Sequence, residues 1–90
     1  MNKIKWVKIR NEYAKKNTYI TREAIDGTFY ITSNDTPNGN WNLYETKEKF
    51  DLYIDNFNLQ NKINHQVNNM ETIEMFHTLA DVKATVQGYK

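Results

Sequence analysis

The groups in this chain best able to do chemistry are few and scattered. Glu74 and His77 stand in an E-x-x-H spacing. On a helix this would offer two metal ligands, but a carboxylate-bridged metal pair also needs a second such motif and further helical glutamates. The same two residues suit a surface glutamate and a histidine at a strand-to-helix junction, so no metal is expected. Asp51 and Asp55 are four apart and would line one side of a helix. That spacing could serve a divalent cation or paired acid-base work, and it equally describes two solvated helix charges. Ser33 is the only serine and lacks any GxSxG context, and cysteine is absent, so acyl transfer has almost no raw material. The three glycines have turn or cap explanations, and neither GxGxxG nor a P-loop occurs, which argues against nucleotide hydrolysis. The expectation is a protein without catalysis and without a cofactor.

Charge carries more information. Lys3, Lys5, Lys8, Arg10, Lys15, Lys16 and Arg22 are seven of the chain's twelve cations, and the only acid among residues 1–22 is Glu12. The remaining residues hold five cations against ten acids, so a net charge of +1 hides a strong asymmetry. A one-sign patch attracts anions and steers encounters without naming the partner. Tyrosines beside cations can stack bases while the cations neutralise phosphates, which makes Tyr19, Tyr30 and Tyr44 candidates to join the seven cations in meeting nucleic acid or another anionic partner. The alternative is an ordinary solvent face on which tyrosines shield strands.

These groups need elements to place them. Ninety residues fit a single domain spanning 1–90, and a chain of this length buries only about 60 to 65% of its unfolded surface. Twelve aromatics argue against wholesale disorder, while thirteen asparagines and ten lysines keep the average residue polar. Without cysteine, packing alone must stabilise the core, which suits a reducing cytoplasm. No stretch approaches the roughly 20 apolar residues needed to span a bilayer, so neither secretion nor membrane insertion is expected.

Residues 3–11 read as a strand, with an alternation that slips at Trp6–Val7; either both faces are covered there or a bulge absorbs one residue. From Thr18 to Ser33, two β-rich runs flank Asp26–Gly27, a two-residue hairpin turn. Pairing Ile25 with Thr28 puts Ile20, Ala24, Phe29 and Ile31 on a core face and Tyr19, Thr21, Glu23, Ile25, Tyr30 and Thr32 on the other. The same register sets Arg22 on the apolar face opposite Ile31, as a snorkelling side chain, a sign of slipped register, or a buried functional guanidinium. Thr36-Pro37-Asn38-Gly39 is a turn with proline at its natural second position. Trp41-Asn42-Leu43-Tyr44 follows as a strand, with Trp41 and Leu43 joining the core face and Tyr44 beside Tyr19 and Tyr30 on an open one.

Thr72–Phe76 reads as a final strand. Thr78 then caps a helix over 79–88, with Leu79, Val82, Val86 and Tyr89 at helical spacing, Asp81 at its third position and Gly88 as C-cap. Between these parts, Phe50, Tyr53, Ile54 and Phe57 make a helical stripe, and six asparagines crowd residues 56–69. A helix near 47–57 followed by an asparagine-rich loop is the reading adopted, with a strand as the alternative because Phe50, Leu52 and Ile54 also alternate. The fold class is therefore α+β: an antiparallel meander of three to five strands, the C-terminal helix on one face, and a second helix near 47–57. The stripe is either core or an exposed ridge; as a ridge, Tyr53 and Phe57 with Asp51 and Asp55 would meet a protein partner.

The stretches Lys5-Trp6-Val7-Lys8, Gly27-Thr28-Phe29-Tyr30-Ile31-Thr32, Asn40-Trp41-Asn42-Leu43-Tyr44 and Phe76-His77-Thr78-Leu79-Ala80-Asp81-Val82-Lys83 resemble small orphan accessory proteins of phages and mobile elements in AT-rich Gram-positive bacteria. There a strand meander is followed by F-x-T-L-x-x-x-K opening a terminal helix. The layout is also similar to the arm-site DNA-binding domains of phage integrases; this chain departs from both by inserting residues 47–70, and it lacks dense arginines on its strands. The resemblance implies a stoichiometric inhibitor of host machinery or defence, of the anti-CRISPR kind, binding a host protein or ribonucleoprotein. The alternative is a nucleic-acid-binding module built on the basic first strand.

Overall fold

The computed structural model describes residues 3–9, 17–48, 57–67 and 69–89. Seven elements follow in chain order: β1 (Trp6–Ile9), β2 (Thr18–Thr21), β3 (Phe29–Ser33), β4 (Trp41–Thr46), α1 (Phe57–Val67), β5 (Glu74–Phe76) and α2 (Leu79–Gln87). The strands form one antiparallel sheet in the order β1-β2-β3-β4-β5. The protein is thus an α+β domain: a five-stranded meander with a C-terminal helix and a short second helix.

Turn chemistry sets much of this order. Asp26 and Gly27 take φ of 51° and 78°, the pair of positive angles a two-residue hairpin turn requires, and Ile25 and Thr28 exchange backbone hydrogen bonds of 2.8 and 3.0 Å across it. In the next turn the Gly39 N–H donates to the Thr36 carbonyl at 3.2 Å, with Pro37 supplying its fixed φ at the second position. Helix α2 starts where Thr78 Oγ1 accepts from the Asp81 N–H at 3.2 Å, and Gly88 ends it in a right-handed conformation, its N–H donating to the last carbonyls.

The sheet is buried on both faces. On one, Ile9, Ile20, Phe29, Ile31 and Tyr44 pack with Ile63 and Val67 of α1, and Val7 and Met70 lie against them. On the other, Leu43 and Ile4 pack with Val82 and Val86 of α2, flanked by Trp6, Ile25, Tyr30, Trp41 and Phe76. The slip at Trp6–Val7 is therefore no bulge: Trp6↔Thr21 and Val7↔Ile20 are consecutive pairs, and each residue feeds a different core. The two chain ends are joined where the Ile4 N–H donates to Gln87 Oε1 at 2.9 Å.

Four expectations require correction. First, Ile20 lies opposite Ile31, not Arg22. Between the Ile20–Ile31 pair and the Ile25–Thr28 bridge lie four residues on the β2 side (21–24) and two on the β3 side (29–30), so two residues are extra and the pairing moves by two. Because the side-chain period is also two, Ile20, Phe29 and Ile31 keep one face, while Arg22 and Ala24 are exposed. The Arg22 N–H stays with β1, donating to the Lys5 carbonyl at 2.9 Å, and Thr21 Oγ1 accepts from the Tyr30 N–H at 3.1 Å.

Second, β4 has the opposite parity. Tyr44 pairs with Ile31 and Leu43 with Thr32, so Tyr44 enters the α1-side core and Leu43 the other. The length of the 34–40 connection decides this, and one residue more or fewer would flip every β4 side chain. Third, α2 covers the face bearing Tyr19, Tyr30 and Thr32, which the sequence suggested would be open. Fourth, the asparagine-rich segment is helical. The three asparagines within α1 cost together about 2 kcal/mol in helix propensity relative to alanine. Burying Ile63 and Val67, one turn apart, contributes about 3–5 kcal/mol, so tertiary packing wins. Asn69 supports the helix end, its Nδ2 donating to the His65 carbonyl at 3.2 Å, and Glu48 clasps the middle through Lys62 Nζ at 3.2 Å and Gln66 Nε2 at 2.9 Å. The helix expected near 47–57 and the stripe Phe50, Tyr53, Ile54 lie outside the described residues.

Candidate partner-binding surfaces

The sheet order turns the asymmetry along the chain into one across the molecule. Strand β1 is an edge, and Lys3, Lys5 and Lys8 on and before it are exposed. Strand β5 is the opposite edge, where Glu71 and Glu74 are exposed, with Asp81 exposed in the first turn of α2. Lysines on an edge strand also discourage pairing with another sheet, because a second copy would bring like charges together. Arg10, Lys15 and Lys16 lie outside the described residues; Arg22 is exposed at the end of β2, across from Lys5.

The three tyrosines do not form a common platform. Tyr44 is buried on the α1 side, its hydroxyl accepting from Asn42 Nδ2 at 3.2 Å. Tyr30 is half-buried and packs against Tyr89 with ring centroids 5.1 Å apart. Burial holds its phenol above the ordinary tyrosine range, and the nearby Glu45, Tyr89 and Asp26 add to the effect. Only Tyr19 stands among cations: Lys8 is its cross-strand partner, and Lys83 of α2 reaches over its ring at 5.4 Å. Its ring meets Trp41 at 5.9 Å. The contribution of Lys83 was invisible in the chain, because no local spacing links position 83 to position 19.

The other singled-out residues fall apart. Residues 74 and 77 are not on a helix: Glu74 opens β5, and His77 lies in the turn before α2, where its Nδ1 is 3.4 Å from Asn40 Oδ1. Among the described residues no group of three histidine or acidic side chains is gathered to hold a metal ion. Ser33 is buried, and its Oγ serves the turn, accepting from the Thr18 hydroxyl and the Asp35 N–H, each at 3.2 Å. Asp51, Tyr53 and Asp55 lie outside the described residues; Phe57 is the first residue of α1, and its side chain lies outside the description. No described helix is long and apolar enough to cross a membrane.

Comparison with protein families, with curated proteins and with solved structures found no match for this chain.

Proposed function

We propose that this protein works without catalysis, by binding an anionic surface on a host macromolecule and blocking or modulating it. The observation that carries the reading is the exposure of Lys3 and Lys5 just before edge strand β1 and of Lys8 within it, set across the sheet from Glu71 and Glu74 at β5. Separated charges steer encounter and fix orientation more than they add affinity, which suits a small protein acting in stoichiometric amounts. The likeness of its strand and helix motifs to phage accessory proteins supports a bacterial host protein or ribonucleoprotein as the partner, and an anti-defence role.

The test is capture from the lysate of an AT-rich Gram-positive bacterium with the wild-type chain and with Lys5→Glu/Lys8→Glu. One dominant partner should be recovered by the first and lost by the second; an identical set of captured proteins would defeat the reading. A nucleic-acid-binding module is the second reading, favoured by the arrangement of Lys8, Tyr19 and Lys83. It requires affinity for duplex DNA to fall by roughly 0.9 log units per log unit of salt for each phosphate neutralised. Flat or absent binding removes it.

A further inference from the structure

The two edges of the sheet are not equivalent. Edge β1 is guarded by lysines, whereas β5 and the residue before it carry bare apolar surface: Met75 is 56% and Ile73 45% exposed, two of the three exposed large hydrophobics among the described residues. Among the described strands β5 pairs only with β4, which makes it the outer strand of the described sheet. Asn40 brackets this edge, its Nδ2 lying 3.8 Å from Met75 Sδ and its Oδ1 3.4 Å from His77. A short edge bearing exposed apolar residues is the geometry used for strand addition, in which main-chain hydrogen bonds hold an extended peptide and alternate side chains select it.

We infer that β5 is a docking edge for an extended, basic segment of a partner protein. Alternation dictates the chemistry of that segment. Met75 pairs with Asn42 and points to one face of the sheet, Glu74 pairs with Leu43 and points to the other, and exposed Ile73 stands just before the strand. The occupant therefore needs apolar residues at every second position, and lysine or arginine between them to meet Glu74, with Glu71 and Asp81 extending the negative field. This edge is opposite the lysines of β1, so its occupancy does not depend on the function proposed above.

The probe is a synthetic end-capped peptide of alternating lysine and valine, roughly seven residues long to span β5 and its flanks, titrated into isotope-labelled full-length protein and followed by amide NMR shifts. Saturable shifts at residues 73–76 with a Kd below about 1 mM are expected. Glu74→Lys should weaken binding by about fivefold or more, as reversing one exposed charge allows, and the milder Glu74→Gln by less. Lys5→Glu/Lys8→Glu should leave it unchanged. A backbone N-methylated peptide should not bind, because it cannot complete the ladder. The inference fails if shifts centre elsewhere, if an alternating glutamate-valine peptide binds as well, or if Glu74→Lys binds normally. It also fails if, without peptide, the shifts at 73–76 depend on protein concentration, which would put a second copy on the edge.

Discussion

Replacing Ile63 by alanine tests whether α1 exists because of what it is buried against. The side chain is 1% exposed, set among Ile9, Ile20, Phe29, Ile31, Tyr44 and Val67. Truncation removes three buried carbons, a transfer loss of about 2.4 kcal/mol at ~0.8 kcal/mol for each. A cavity between helix and sheet that closes only in part raises the total to about 3–4 kcal/mol. For a domain of this size that is a drop of roughly 12–32 °C in Tm and a large share of a total stability of about 5–10 kcal/mol. Urea unfolding read by both far-UV circular dichroism and tryptophan fluorescence is the informative assay. Trp6 and Trp41 both lie on the α2 side, so they sense the face that α1 does not touch. If the two layers unfold together, the curves coincide and shift equally. Lys62→Ala, which removes an exposed ion pair with Glu48, is the control and should change stability by no more than about 0.5 kcal/mol. A loss below about 1 kcal/mol in Ile63→Ala would refute the account, since a loosely apposed helix would hardly notice the truncation.

Thr78→Ala removes the oxygen that accepts from the Asp81 N–H and should cost about 1 kcal/mol in thermal or urea unfolding. Gly27→Ala introduces a Cβ that meets nothing within 4 Å, so its cost is the left-handed backbone alone, about 1–2 kcal/mol; no change would mean the turn adopts another shape. Tyr30 has its phenol pKa raised by burial first and by Glu45, Tyr89 and Asp26 next, so the folded state holds that proton more tightly than the unfolded state. Its contribution is complete below the unfolded value of about 10 and is lost as pH rises from there through the folded value. Stability should fall over that alkaline interval, and Tyr30→Phe, compared with wild type by ultraviolet titration and urea unfolding, should remove that part of the decline.

Residues acting on near neighbours were readable from the chain. Asp26–Gly27, Thr36–Gly39 and Thr78 with Asp81 each form a local unit whose geometry follows from a few φ angles and one or two hydrogen bonds. The meander and its last helix follow from those units. The candidate site was less legible. Lys3, Lys5 and Lys8 are exposed along one edge, but the tyrosines expected beside them are dispersed: one buried, one against Tyr89, and one between Lys8 and Lys83. Asp51, Tyr53 and Asp55, and the side chain of Phe57, lie outside the described residues. The apolar edge of β5 is not legible in the chain, because an exposed methionine and a buried one look alike in a strand of three residues.

The turns, the cap, the α+β class and the concentration of cations toward the amino-terminal strand can be read from the residues alone. Which face each strand presents, the covering of both faces and the helix in an asparagine-rich segment follow from long-range packing. The reason is physical: a turn is selected among the conformations of four residues, whereas β4's parity, α1's helicity and the separation of basic and acidic edges depend on partners distant in the chain. Ile63 is helical because of Ile20 and Ile31, and Tyr44 is buried because of the register at Ile31.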